Sequence, residues 1–487
     1  MKSFNKSQKQ RWMTVVFVAL LLVLGACNCF KPKTFKIQGR VYGITEQGGE
    51  ALANATIMLF EPDEVDASVQ QLQMDYAGIG ASNSWQELFD HRTREPLLKT
   101  VADAEGNFTL EGLEKGNYVL VTFLDAWGFR YQTVSIVKED VTGVQLDLYP
   151  VTSLPTVLNE DFSMLEGRVY QAPPGLIQLA GSTLKCKGNA VLLMEEGGEA
   201  SFHGDLSIEE GASLRIMSKD RIYSSSYSEQ APKRYNQISL HGNHDSEIRK
   251  LLLQDCVYGL RVLGVNGLTL VDSRVRPLYT ALVVSNSNNV SILNCTVTGS
   301  RESSLAALYG ENSNHVSISK CHFYLNRNAI FLSNCAESEV RETFFDQNSA
   351  MDVHFGENST GKLEYCSFPN SNLAVYNYKG QIQVHRNEIT AKTGIYNYQL
   401  RASFSANYNN FDCSVYAVKS KGIFYNSPIL HMDATQNYWG TTDTARIDEL
   451  IYDRNDEDPQ DVNYSLLKTV VDYRPFKSQK NTAGIPK

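Results

Sequence analysis

The chain has 487 residues, a formal net charge of −9 at pH 7 and nine cysteines. That length allows two domains, each with a core of its own. An acidic chain without a basic stripe excludes nucleic acid as a partner, because neutralising phosphates needs clustered Lys and Arg.

The first element is an export signal. Lys2, Lys6, Lys9 and Arg11 precede an apolar run over residues 12–24, which is too short for a membrane span of about 20 residues. The run ends in Leu24-Gly25-Ala26-Cys27, which resembles a bacterial lipobox. The resemblance implies that residues 1–26 are removed and that Cys27 carries lipid, with residues 27–33 as a tether. An ordinary secretory signal cut near Ala26 is the alternative. Removing four basic and no acidic residues takes the net charge from −9 to −13, which keeps a tethered chain from lying flat on anionic headgroups. Asn28 follows the thiol, and by the resemblance this implies an outer-membrane lipoprotein of the cell envelope, its periplasmic or surface face left open.

Residues 34–150 read as short alternating strands with turns at Gly48-Gly49, Glu105-Gly106-Asn107 and Lys115-Gly116-Asn117. The runs Thr100-Val101-Ala102-Asp103-Ala104-Glu105-Gly106-Asn107-Phe108 and Leu113-Glu114-Lys115-Gly116-Asn117-Tyr118 resemble the carboxypeptidase-regulatory-like β-sandwich, a small Ig-like module. The resemblance implies a spacer without catalysis. Residues 64–97 interrupt it as a polar loop with a short helix, and residues 151–164 read as a linker.

From residue 165 to 476 one strand pattern recurs. An apolar residue is followed three places on by a small one at Leu253/Cys256, Leu270/Ser273, Ile292/Cys295, Ile318/Cys321, Val340/Thr343, Leu363/Cys366, Val384/Asn387, Phe404/Asn407 and Ala434/Asn437. A period of roughly 20–23 residues with strand chemistry reads as a solenoid of stacked coils. A second strand per coil places Leu282, Leu308, Ile330, Val353, Val375 and Ile395 on one face. Asn, Ser and Gly clusters between the strands suit left-handed turns. Upstream, residues 176–179, 191–194, 206–208 and 214–216 look like the first coils. The pattern resembles the right-handed parallel β-helix proteins of the pectate-lyase-like superfamily. The fold class is therefore all-β, a small sandwich followed by a single-stranded right-handed β-helix. About a dozen coils at about 4.8 Å give a rod on the order of 60 Å long. Asn437-Tyr438-Trp439-Gly440 resembles a segment that closes such helices, followed by a short helix over residues 447–451, Tyr473-Arg474-Pro475-Phe476 and a tail, residues 477–487.

Four thiols, Cys256, Cys295, Cys321 and Cys366, share a repeat position with Ser273 and Thr343, so they read as small residues stacked inside the coils rather than as a disulfide framework. Asn387, Asn407 and Asn437 continue the position as an amide ladder. Cys29, Cys186, Cys335 and Cys413 are left open.

The superfamily includes polysaccharide lyases, which gather calcium-binding carboxylates and a basic residue on one sheet, and glycosidases, which pair carboxylates there. Here Asp352 and Glu342 with Arg341 or Arg327 form the sole loose grouping, and a solvated charged face is the better reading. His241-Gly242-Asn243-His244-Asp245 reads as a polar turn rather than a metal loop. Residues 453–458 lack the turn glycine of a calcium loop. No catalytic residue, metal site or cofactor is assigned. One constellation stands out: Tyr309, Phe331, His354, Tyr376 and Tyr396 point outward on successive coils, and Tyr378 and Tyr398 widen the row. Stacked rings suit the apolar faces of sugars or a protein partner; an aromatic stack covered by the C-terminal tail is the structural alternative. The expected function is a non-catalytic glycan- or surface-ligand-binding scaffold, anchored to the membrane through its lipid and monomeric. A polysaccharide lyase or glycoside hydrolase is the rival, and a structural or adhesin-like envelope protein the third reading.

Overall fold

The structure is a computed structural model describing residues 34–62, 67–81, 89–219, 233–242, 246–300, 305–424, 428–460 and 464–486. The leader, Cys27, Cys29 and residues 243–245 of the His241–Asp245 turn lie outside the described residues. The chain is nearly all β, with a sandwich-like N-terminal region and a C-terminal solenoid of about 11 turns.

The N-terminal region has two four-stranded sheets. In one, Phe35–Thr45 pairs antiparallel with Gly48–Ala51 and Asn107–Leu113 and parallel with Val141–Leu148. In the other, the order is Leu98–Val101, Thr56–Phe60, Gly116–Leu124, Gly128–Ile136. Period-two alternation buries Ile37, Val41, Ile57, Leu59, Leu110 and Leu120 in one cluster between them. The Asp103–Asn107 turn is held by the Asp103 carboxylate, which accepts from the backbone N–H of Glu105 (3.0 Å) and Asn107 (2.7 Å).

Each solenoid coil has three parallel strands, one more than expected. A ladder sheet stacks Asn266–Val271, Asn288–Leu293, Asn314–Ser319, Ser338–Arg341, Thr360–Glu364 and Gln381–His385. A ribbon sheet stacks Leu282–Ser285, Leu308–Glu311, Asn328–Ser333 and Met351–Phe355. The additional, covered sheet stacks Arg274–Pro277, Thr296–Thr298, His322–Tyr324 and Phe344–Asp346. Its strands are three or four residues long, and Thr296, Val297 and Thr298 are all buried, so no alternation marks them. In the last coils the covered and ribbon strands fuse into Ser367–Tyr378, Glu388–Leu400 and Asn410–Ile423. Residues 152–164, read as linker, already carry strands paired to the solenoid.

The coil corners explain the repeat. One residue takes left-handed backbone and the next points inward. Asp272, Asn294, Lys320, Glu342, Tyr365, Arg386, Tyr408 and Gln436 have φ between 47° and 60°. They precede Ser273, Cys295, Cys321, Thr343, Cys366, Asn387, Asn409 and Asn437. Ser273 Oγ and Thr343 Oγ1 each donate to the carbonyl two residues back at 2.9 Å, and Cys295, Cys321 and Cys366 Sγ do the same at 3.2 to 3.4 Å. Ser, Thr and Cys therefore interchange because each is a short inward donor. The same atom also accepts across coils, as where Leu251 N–H reaches Ser273 Oγ at 3.0 Å. In the amide part, Asn387 N–H donates to Asn409 Oδ1 (2.9 Å) and Asn409 N–H to Asn437 Oδ1 (2.8 Å).

Two repeat copies are corrected by this register. Val384 pairs with Ala406, so the ladder amide is Asn409 and not Asn407. Leu253/Cys256 lies on the covered sheet; the true first copy is Ile248/Leu251, paired with Leu270/Ser273. Cys335 belongs to a second ladder at another corner, with Ser287, Ser313 and Ser359. The seven described cysteines are free and buried. Burial pushes the Cys256 and Cys413 thiols up to about 12 and Cys186 to about 11.

The lower end is closed by aromatics. Trp439 stacks on Phe411 at 5.1 Å and meets Tyr473 edge-on at 6.1 Å, with the helix α1 (Thr444–Leu450) alongside.

Candidate functional site

Which solenoid faces are open is decided by what lies on the covered sheet. The insertion in the sandwich contributes a short helix over Ala67–Asp75 and then crosses this sheet. Gly80 N–H donates to Lys320 O (2.8 Å) and Ala81 N–H to Thr296 Oγ1 (2.9 Å). A Cβ at Gly80, whose φ is +73°, would lie 2.9 Å from both His322 Cβ and Thr296 Oγ1, so the crossing requires glycine. Tyr76 reaches Phe344 at 5.9 Å. Higher up, Arg92 binds Asp90 (2.9 Å) and Asp255 (3.2 Å), and Arg215 donates to Phe89 O (2.7 Å). Met217 packs with Phe60, Phe89, Val119, Val121 and Phe129 of the sandwich side. From the opposite end the C-terminal tail runs back over the same sheet: Lys480 pairs with Glu388 (2.7 Å), Asn481 N–H donates to Asn410 Oδ1 (2.7 Å) and Ile485 N–H to Ser367 Oγ (3.3 Å).

The tail therefore lies on the covered sheet, whose residues it contacts, and the aromatic rows belong to a different sheet. Tyr309, Phe331, His354, Tyr376 and Tyr396 are consecutive register partners, and Tyr378 pairs with Tyr398. All seven are half-buried. Successive centroids along the main row are 5.4, 4.0, 4.7 and 5.4 Å apart, with Phe331 and His354 stacked at 2°. Tyr378 and Tyr398 are 6.3 Å apart, and Tyr396 and Tyr398 5.5 Å. Alternation fixes this orientation, because Leu308, Ile330, Val353, Val375 and Ile395 fill the core.

The row is electrically neutral near pH 7. Burial lowers His354 to about 4, so its imidazole is uncharged. Burial raises Tyr376 to about 12; burial and the hydrogen bond to Glu311 (3.1 Å) raise Tyr309 to about 12. The face thus offers ring surface and hydroxyls, a combination suited to stacking a ligand with apolar faces and polar edges.

The loose acidic grouping does not assemble. Asp352 is buried at the corner between covered and ribbon sheets, bound by Asn348 Nδ2 (2.8 Å) and Ser371 Oγ. Glu342 is at the ladder-sheet corner, paired with Arg341 (3.1 Å). Asp453 caps a 3-10 turn over Arg454–Asp456 and accepts from Val471 N–H (2.7 Å), a structural role in the end cap. Among the described residues, no group of three or more His, Cys, Asp or Glu could hold a metal ion. The ladder sheet is open too, as a shallow polar depression lined by His315, Glu339, Lys362, Gln383 and Ser405.

Sequence reasoning missed the end of the ribbon. Tyr396 pairs with Lys419 and Tyr398 with Lys421, and Tyr416 and Tyr452 join them. Lys419 follows Tyr396 by 23 residues, the step from Phe331 to His354, but it carries no ring, so the row of aromatics reads as ending at Tyr396.

Comparison with known proteins supports the solenoid. The family model for a right handed beta helix region matches residues 236–427. No curated protein matches. Among solved structures, the chain is similar to the minor pilin GBS52 of Streptococcus agalactiae, at 19% identity and TM-score 0.16 over 25% of this chain. The match spans 46% of the pilin, less than half its length. A "putative carbohydrate binding protein" from Pseudomonas aeruginosa matches at 19% identity and TM-score 0.15, covering 23% of this chain and 87% of that one.

Proposed function

We propose that the chain is an exported envelope lipoprotein, anchored through Cys27, whose solenoid binds a glycan or similar surface ligand without chemical turnover. In this reading the sandwich is a carboxypeptidase-regulatory-like spacer and the outer membrane is the site of anchoring. The observation that carries the binding role is the register-stacked row from Tyr309 to Tyr396 on a sheet other than the one the insertion and the tail contact. Four inter-coil steps at about 4.8 Å make it about 19 Å long, enough for several sugar rings. Each stacked ring contributes on the order of 1 kcal/mol beyond area burial.

The test combines Tyr376→Ala and Tyr396→Ala. Retention on immobilised polysaccharides should fall at least about tenfold, from two such contributions, with the melting temperature nearly unchanged. A variant that unfolds makes the row structural. Reducing or unsaturated sugar ends accumulating with time in the wild-type incubation make the protein an enzyme.

A further inference from the structure

The aromatic row has two chemically different ends. At its upper end Tyr309 donates to the Glu311 carboxylate at 3.1 Å. At its lower end the row runs into lysines. Lys419 continues the main row in register below Tyr396, and Lys421 continues the second row below Tyr398. The Lys419 ammonium lies 5.2 Å from the Tyr396 ring centroid, 5.4 Å from Tyr416 and 5.2 Å from Tyr452. Three ring faces thus hold one cation in place. Lys421 lies 5.0 Å from the Tyr452 ring and pairs with Glu457 at 2.6 Å. Among the described residues Lys419 has no carboxylate within ion-pair distance, and its side chain is half-exposed.

In an acidic chain a fixed ammonium that is in direct contact with rings, and feels Glu457 only through space, keeps room for an anion. The ring faces restrain the side chain, so little rotamer freedom is left to lose when a ligand arrives. A neutral hydroxyl would gain only an ion–dipole hydrogen bond there, whereas a carboxylate or sulfate gains the attraction of opposite charges as well. The Glu311 end would repel the same group. We infer that the ligand is a glycan carrying an anionic substituent, laid along the row in one direction with that substituent at Lys419, beside the Lys421–Glu457 pair. This rests on the glycan-binding reading of the same face and adds charge and polarity to it.

The test uses the full chain on an array of neutral oligosaccharides printed beside their uronate and sulfate-ester counterparts, with wild type, Lys419→Gln, Lys419→Arg and the Tyr376→Ala/Tyr396→Ala variant. Lys419 has no ion-pair partner to leave stranded, and Lys419→Arg retains the charge among the rings. Wild type should retain the anionic members at least about tenfold better than their neutral counterparts, in a way that weakens as salt shortens the screening length. Lys419→Gln should lose that preference and Lys419→Arg keep it. Uronate against sulfate ester identifies the anionic group. Equal retention of neutral and anionic members, or an unaltered preference in Lys419→Gln, overturns the inference while the glycan-binding reading stands. No retention of any glycan by wild type removes both.

Discussion

Asp352→Asn should stabilise the protein at neutral and alkaline pH and leave it nearly unchanged in acid. Asp352 occupies a row otherwise filled by Ala281, Ala307, Ala329 and Ala374, at the start of the ribbon strands, and is 2% exposed. Burial is the main cause of its rise from the usual 3.8 to about 7; Asn348 and Ser371 oppose that rise by donating to the carboxylate. The folded state therefore holds a proton that the unfolded chain releases between these two values. Stability is fully present below about pH 4 and is lost as pH climbs to about 7, after which it is level. A shift of about three units at 1.36 kcal/mol each sets a ceiling near 4 kcal/mol, and about 2 kcal/mol is a reasonable expectation once local hydration relaxes the ionised form. Asparagine keeps an acceptor for Asn348 and can donate to Ser371 Oγ, so it fits without a charge. Urea denaturation of both proteins at pH 4 and pH 8, followed by circular dichroism, measures the difference directly. The two should have similar midpoints at pH 4 and separate at pH 8 with the variant higher. Parallel pH dependences would refute the buried, protonated assignment.

Cys27→Ser should release the protein from membranes, since the thiol is the proposed acylation point; continued detergent partitioning with incorporation of labelled fatty acid would sink the lipoprotein reading. The buried thiols Cys256, Cys295, Cys321 and Cys366 should alkylate slowly in the native protein and completely once it is unfolded, as mass spectrometry reads; bridges among them would contradict the corner geometry. Arg92→Ala removes a cation that binds both Asp90 and Asp255 and should cost about 1.5–3 kcal/mol, visible as faster limited proteolysis within residues 61–97. Equal cleavage of both proteins would show that the insertion is held to the solenoid by other contacts.

Much of the solenoid was legible because its signals are local. A left-handed corner residue followed by an inward Ser, Cys or Asn recurs wherever a coil turns, and Leu308, Ile330 and Val353 alternate with Tyr309, Phe331 and His354 as a strand demands. The covered sheet escaped for the opposite reason. Its outward side chains Thr296, His322 and Phe344 are overlain by a segment more than 200 residues earlier in the chain, so its polarity pattern records long-range packing rather than solvent. Asn407 was chosen over Asn409 because both spacings are plausible in sequence, and the two-residue difference is settled by pairing of Val384 with Ala406. Lys419 was missed for another reason: its 23-residue step from Tyr396 is the ordinary one, but a lysine does not extend a pattern of rings, and only the strand pairing places it in the row.

The division of the solenoid surface gives the ribbon its meaning. Outward side chains on a three-sided solenoid face water unless something lies over them, and the chain spends two separate segments on one side. The insertion brings Gly80, Phe89 and Arg92 down from the sandwich, and the tail brings Asn481 and Ile485 up from the end cap. The insertion lies over Arg215, Thr296 and His322 and the tail over Ser367 and Asn410, buried polar groups that would otherwise have been well hydrated. On the ribbon side rings fill the outward positions over five coils, yet they stay half-exposed. If cross-coil stacking alone were the purpose, the covered side would be the better place for those rings, since the overlay would remove them from water and add to the hydrophobic stabilisation. Holding a row of rings on an open side runs against stability, and this supports the proposal that they meet a partner from outside the chain.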